Sequence, residues 1–412
     1  MEYRSKQANL KLPTSLMLKL GIPQIIGWGS GFYLPAILAV PISASLGISQ
    51  DIFFWAFTLS LLVAGLVGPR VGRAIDRFGG RRVMPIGNIV FAAGLSLMAM
   101  SSEVWMLFAA WMITGLGASV GNYDAAFATA VRHLGQKANP VIAGITLFSG
   151  FASSISWPLT SYLLAEFSWQ SAVWFWAAMH IFVAMPIHLS LPRVETREVP
   201  AVTGPIKKVM RRRFKLDPLT LVFALIFALE GFIVTGINTT LPVLVGGLGA
   251  DTNLVLLASV VLGPAQVLSR VLLMLVGKYL GPMQIAGISI VAHPLGVALL
   301  MIFGEGAILW FVILQGVGVG LNPYVRGSLP LLFFGSDRYG QRQGYIMMPS
   351  KIVSALSPTL ITAMLIVSAQ LAVTVSMAVG AMALVLLVLL STLHRRRSAV
   401  DPQFSAASGL EN

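Results

Sequence analysis

Cysteine is absent from the 412 residues, so disulfide frameworks, thiolate metal sites and thiol nucleophiles are excluded by counting. Charge is scarce: only 10% of residues are Asp, Glu, Lys or Arg, against roughly 25% in an ordinary soluble domain. The chain has no nucleotide-binding loop, no His/Glu zinc motif and no convincing Ser/His pairing. An enzyme is therefore not expected, nor a metal or a cofactor, and any work must be driven by gradients. Apolar residues, at 56%, make up what charge does not.

Those residues fall into runs long enough to cross a hydrocarbon core, which takes about 20 residues of helix. Charged or Gly/Pro breaks divide them into about twelve spans, near 17–44, 50–73, 82–100, 104–133, 138–165, 170–190, 218–246, 252–279, 283–304, 307–335, 341–368 and 370–393. The first run is too long for a signal h-region and is kept as a helix. The expected fold is all-α and membrane-embedded: a six-helix bundle over 1–190, a basic linker over 191–217, a second six-helix bundle over 218–393 and a tail over 394–412.

The connections alternate in charge. The loop "GPRVGRAIDRFGGRRV" (68–83) holds five arginines and one aspartate, residues 191–217 hold eight Lys/Arg, and Arg395, Arg396 and Arg397 close the pattern, while the intervening turns carry single acids such as Asp51 and Glu103. Under the positive-inside rule both termini and the linker are cytoplasmic, in a plasma membrane that is a bacterial inner membrane. The net charge of +13 then reports topology, with lipid as partner and no nucleic acid. A receptor would need a signalling domain, for which twelve spans leave no room.

The order Gly72, Asp76, Arg77, Phe78, Gly79, Arg81, Arg82 closely resembles the signature of the major facilitator superfamily between its second and third helices. Twelve spans in a 6+6 division extend that resemblance over nearly the whole chain. It implies two six-helix bundles rocking about a central cavity, with this loop as a conformational latch in which Asp76 pairs with neighbouring arginines or sits against a helix N-terminus. "VGKYLGPMQ" (276–284) is a degenerate echo that lacks the aspartate.

Ionisable groups inside spans are costly and mark function by default. Five remain once the loops are set aside: Asp124, Glu230, Arg270, Arg326 and Lys351. At 1.5 Å per residue they lie roughly 13 to 18 Å deep, near one level. In the fold implied by the resemblance, all five are on cavity-lining helices. Two acids against three bases favour an anionic substrate. Arg270 with Lys351 resembles the oxalate:formate antiporter and monocarboxylate porter branch, which implies that these bases hold a carboxylate. Arg326, Tyr123, Tyr324, Gln24, Trp28 and Asn322 complete the expected substrate site, with Glu230 and Asp124 as coupling acids. Pro158 is expected to kink span 5, and His180 and His293 to be hydrogen-bonded inside the bundles. The expected function is a monomeric secondary transporter for a small organic anion such as a monocarboxylate, using protons or a counter-substrate. The alternative is a proton-coupled efflux pump for drugs or other toxic compounds, although span 5 lacks the Gly-Pro-rich pattern of drug exporters.

Overall fold

The computed structural model describes residues 14–193 and 217–400, with side chains as far as 392. Nine helical stretches in it are long and apolar enough to cross a membrane, or ten when a pair bent by 45° is counted as one. Two of these stretches, Val104–Glu166 and Pro282–Phe334, are each too long for one crossing. They fold back at Gly135 and Gly304, which adopt φ of 57° and 55°, a left-handed backbone that glycine enters without a Cβ penalty. The described residues thus form twelve spans.

Several spans are broken near mid-depth. Span 1 runs Thr14–Trp28, a π-turn over Gly29–Tyr33, then Pro35–Leu46. Span 2 is Gln50–Phe78 and span 3 Gly80–Ala99. Span 4 is Val104–Gly121 and Tyr123–Leu134, interrupted by the extended backbone of Asn122. Span 5 is Asn139–Gly150 and Ala152–Glu166; its interruption falls at Phe151, whereas Pro158 lies inside the second helix. Span 6 is Trp169–Met179, a π-turn over His180–Ala184, and Met185–Leu189.

The second half is more regular: Pro218–Gly247, Thr252–Val276, Pro282–Phe303, Ile308–Phe334, Tyr339–Val367 and Ala369–Val400 are spans 7 to 12. Asp217 caps span 7 by accepting from the Thr220 amide at 2.7 Å, just ahead of a Pro at the first helical position, a favoured way to start a helix. The last span continues to Val400, past the expected end at 393. Most of the expected linker, and the tail beyond Val400, lie outside the described residues.

Large apolar side chains remain exposed around the outside, Ile366 at 82% among them. In water such a surface would mark a binding face; here it is the surface that meets lipid. Inside, the core branches. One cluster joins both halves at the Asp76 end, packing Val71, Ile75, Phe127 and Ile142 with Phe223, Phe227, Tyr339 and Ile346. At the other end it divides into a cluster made only by the first half, around Phe53, Phe91 and Trp111, and another made only by the second, around Ile237, Leu244 and Phe311. The halves are therefore fused at one end and parted at the other.

Candidate functional site

The fused end is fastened by the arginine-rich loop. Span 2 stops because Gly79 turns to φ 80°, which leaves Asp76 on its last turn facing the start of span 11. Its carboxylate accepts from the Gly340 amide at 2.9 Å and the Gln341 amide at 2.8 Å. Amides in a first helical turn lack intrahelical acceptors and carry the positive end of the helix dipole, so an anion there satisfies both. Arg132 of span 4 donates to the Asp76 and Arg77 backbone carbonyls. Arg81 donates to the Leu191 carbonyl at 3.0 Å, tying in the end of span 6. Gly72 permits the approach: a Cβ there would overlap the Gly340 carbonyl.

Toward mid-depth the same two helices stay in contact, and a Cβ on Gly65 would lie 3.1 Å from Cβ of Lys351. The break at Asn122 starts a new helix with Asp124 in its first turn. Lys351 Nζ meets Asp124 Oδ2 at 2.6 Å, an ion pair between the halves whose side chains keep 26% and 20% exposure. Arg326 lies within electrostatic reach of Asp124, Glu230 and Tyr123, and its Nη2 donates to Ser350 Oγ at 3.3 Å. Glu230, 4% exposed, accepts from Asn322 Nδ2 at 3.1 Å. Four of the five expected charges thus form one network on spans 4, 7, 10 and 11.

Arg270 stands apart from it. Its Nε donates to the Gly320 carbonyl at 3.0 Å, and no carboxylate of the described residues lies within 4.0 Å. The guanidinium reaches across to span 5, where a Cβ on Gly150 would sit 2.5 Å from Nη1. The Tyr33 hydroxyl is within electrostatic reach of Arg270 and of Tyr123 and lies near Ser153. Tyr123 in turn bonds the Ser149 hydroxyl and packs on Trp28, with ring centroids 4.9 Å apart.

Two expected ligands sit differently. Gln24 is fully buried and donates to the Gly121 carbonyl at 3.0 Å, binding span 1 to span 4. Tyr324 is 5% exposed and belongs to the core shared by the halves. Residues outside the expected set also enter the site: Tyr33, Ser149, Gly150, Ser153 and Ser350, together with the Gly340 and Gln341 amides. Small residues opposite a lone arginine are a signal that sequence reading could have used; backbone amides leave none. His180 bonds Ser30 at 2.9 Å and Asn88 at 3.3 Å, and His293 bonds Gln315 at 2.7 Å, each inside its own half.

The sequence profile described as Major Facilitator Superfamily matches residues 24–322. Monocarboxylate transporter 14 of Mus musculus is 30% identical over 137 residues, 32% of this chain and 26% of that protein. Multidrug resistance protein MdtH of Yersinia pestis (strain Pestoides F) is 25% identical over 194 residues, 46% of this chain and 48% of that protein. The chain thus matches about a quarter and about half of these relatives' lengths. Among solved structures, the proton:xylose symporter XylE bound to 6-bromo-6-deoxy-D-glucose superposes with a TM-score of 0.69 at 13% identity, covering 90% of this chain and 94% of that one. The human organic anion transporter MFSD10 (TETRAN) does so with a TM-score of 0.64 at 16% identity, covering 91% and 98%. At these identities the two structures share the fold.

Proposed function

The chain belongs to the major facilitator superfamily, and from that premise we propose that it moves a small organic anion, a monocarboxylate in the simplest case, by alternating access around the mid-depth site. The observation that carries the reading is the uneven pairing of the buried charges. Asp124, Lys351, Arg326 and Glu230 lie in one network, while Arg270 has no carboxylate within 4.0 Å among the described residues. A guanidinium presents a planar fork of donors matched to a carboxylate. An arriving anion would supply the missing counter-charge.

In this reading the Asp76 end is cytoplasmic, following the positive-inside rule, in a bacterial inner membrane. The described state is then closed inward and open outward. Passage to the opposite state separates Asp76 from the Gly340 and Gln341 amides and Lys351 from Asp124, both of which cross between halves. Glu230 is the coupling acid: it is buried on the first helix of the second half and bonded to Asn322, a neighbour it can release.

A second reading, proton-coupled efflux of drugs or other toxic compounds, is favoured by the likeness to MdtH, which covers more of this chain than the monocarboxylate relative does. Uptake and counterflow in proteoliposomes against small carboxylates, neutral compounds and cationic drugs separate the two. Carboxylate counterflow sensitive to Arg270 supports the first reading; counterflow of cationic drugs alone overturns it. Glu230→Gln should abolish pH-driven net uptake and spare counterflow, which needs no net proton movement. Unchanged pH-driven uptake removes Glu230 from coupling.

A further inference from the structure

Aromatic side chains are distributed unevenly between the two halves. The first half sets Trp28, Phe32 and Tyr33 of span 1 beside Phe57 of span 2, Tyr123 of span 4 and Trp157 of span 5. Their rings touch in sequence: Trp28 meets Tyr123 at 4.9 Å and Phe32 at 5.6 Å, and Phe32 meets Tyr33 at 5.4 Å and Phe57 at 6.0 Å. Tyr33 meets Trp157 edge-on at 5.7 Å. In the second half, residues 233–278 and 346–392, which cover the second half of span 7, all of span 8, span 11 beyond its inner end and span 12 as far as its side chains are described, contain no Phe, Tyr or Trp. One wall is made of π faces and edges, and the facing wall brings charge.

The two chemistries meet at Arg270. Ser153 and Trp157 are spaced four apart and share one face of the second helix of span 5, and Gly150 ends the helix before it. Gly150 abuts the Arg270 guanidinium, Trp157 donates from Nε1 to the Tyr33 carbonyl at 3.2 Å, and the Tyr33 hydroxyl is within electrostatic reach of Arg270. The cation therefore lies at the inner margin of the aromatic wall. Trp28 adds a buried indole Nε1 with no hydrogen-bond partner among the described residues. An indole N–H has no acceptor role and is left unsatisfied unless something arrives to accept from it.

Resting on the anion reading above, we infer that this site selects a monocarboxylate bearing an aromatic ring, its carboxylate held by Arg270 and its ring laid against Trp28, Phe32 and Trp157. A short aliphatic acid would reach the guanidinium and leave the wall uncovered. A dianion would bring one charge more than Arg270 neutralises. An aryl acid covers both features at once. Ring burial and edge-to-face contact give it an advantage of about tenfold over an aliphatic acid.

The test is equilibrium binding to the full chain in lipid nanodiscs, with phenylacetate, acetate and phenylacetamide as probes. Wild type should bind phenylacetate about tenfold more tightly than acetate, and phenylacetamide more weakly than either acid. Trp28→Leu combined with Trp157→Leu keeps apolar bulk but removes two rings. It should bring the phenylacetate-to-acetate ratio near unity, with an unfolding temperature close to that of wild type showing that the variant is folded. Arg270→Gln should lower both acids to the level of the amide. Equal affinity for phenylacetate and acetate in wild type, or a ratio unmoved by the double replacement, overturns the aromatic selectivity and leaves the anion reading standing. Phenylacetamide binding as tightly as phenylacetate overturns the anion reading itself.

Discussion

The two halves meet at mid-depth with different materials. The first brings packed aromatic rings and the aspartate that closes the inner end; the second brings three bases and the helix start that receives the aspartate. The inter-helix loops show the same division. In the first half Asp76 crosses to the amides of span 11. In the echo at 276–284 no acid is present, and Lys278 instead lies 4.7 Å over the Tyr279 ring, which is 76% exposed. Of the two loops, one carries an acid that fastens it to the other half among the described residues. The contacts made by the two loops differ, so each half can be perturbed with a distinct signature.

The largest effect should come from the pair that joins the materials. Lys351→Gln removes the cation in contact with Asp124, at a site only partly open to water, and leaves it the more distant Arg326. We expect a loss of about 2 kcal/mol in stability, below the roughly 3 to 5 typical of fully buried pairs. The double variant Lys351→Gln with Asp124→Asn should recover at least half of that loss in thermal unfolding. Identical unfolding temperatures for the single and double variants would mean that the pair is not energetically coupled.

Next is the cation of the second half. Arg270→Lys keeps the charge and loses the planar fork, so carboxylate affinity should fall about tenfold with little change in unfolding temperature. Full retention of affinity would show that a point charge suffices, and that the fork opposite the aromatic wall has no part in recognition.

The smallest effect distinguishes the two loops. Asp76→Asn weakens one charged cap on span 11, worth about 1 kcal/mol, or about fivefold in the balance between inner-closed and inner-open states. Spin-label distances across the Gly79 and Gly335 turns read that balance. Lys278→Ala in the echo loop should leave the distances unchanged. A shift of equal size from both variants would erase the asymmetry.

Much of this organisation is legible in the amino-acid order, for stated physical reasons. Apolar length reports spans and basic loops report the expected sidedness, because bilayer thickness and lysine or arginine placement act on local sequence. The glycines and aspartate of 68–83 can be read because a tight turn and an exposed helix end both need specific residues. Pairing is not legible in that way. Arg270 and Lys351 look alike as lone bases in apolar helices, yet Lys351 meets Asp124 because spans 11 and 4 converge, whereas Arg270 faces Gly150 of span 5. Gln24 reads as a polar lining residue, but a fully buried amide close to a carbonyl freed by the break at Asn122 bonds it instead. The helix breaks are hidden too: Asn122 and Phe151 lack the signature of proline, and Pro158, which has it, lies within a continuous helix.

The π-turn of span 1 has a consequence of angular phase. A π-turn amounts to one residue inserted into an α-helix, and one residue advances a helix by about 100°. Pro35–Leu46 is thereby rotated by roughly that angle relative to an uninterrupted continuation of Thr14–Trp28, and Tyr33 takes its bearing toward span 5 from the same offset. Span 6 carries a matching insertion over His180–Ala184, and a hydrogen bond between Ser30 and His180 joins the two turns directly. Neighbouring helices that slip by the same increment at the same height stay meshed. Deleting a single residue from one turn, and not from the other, would put them out of register over every residue that follows.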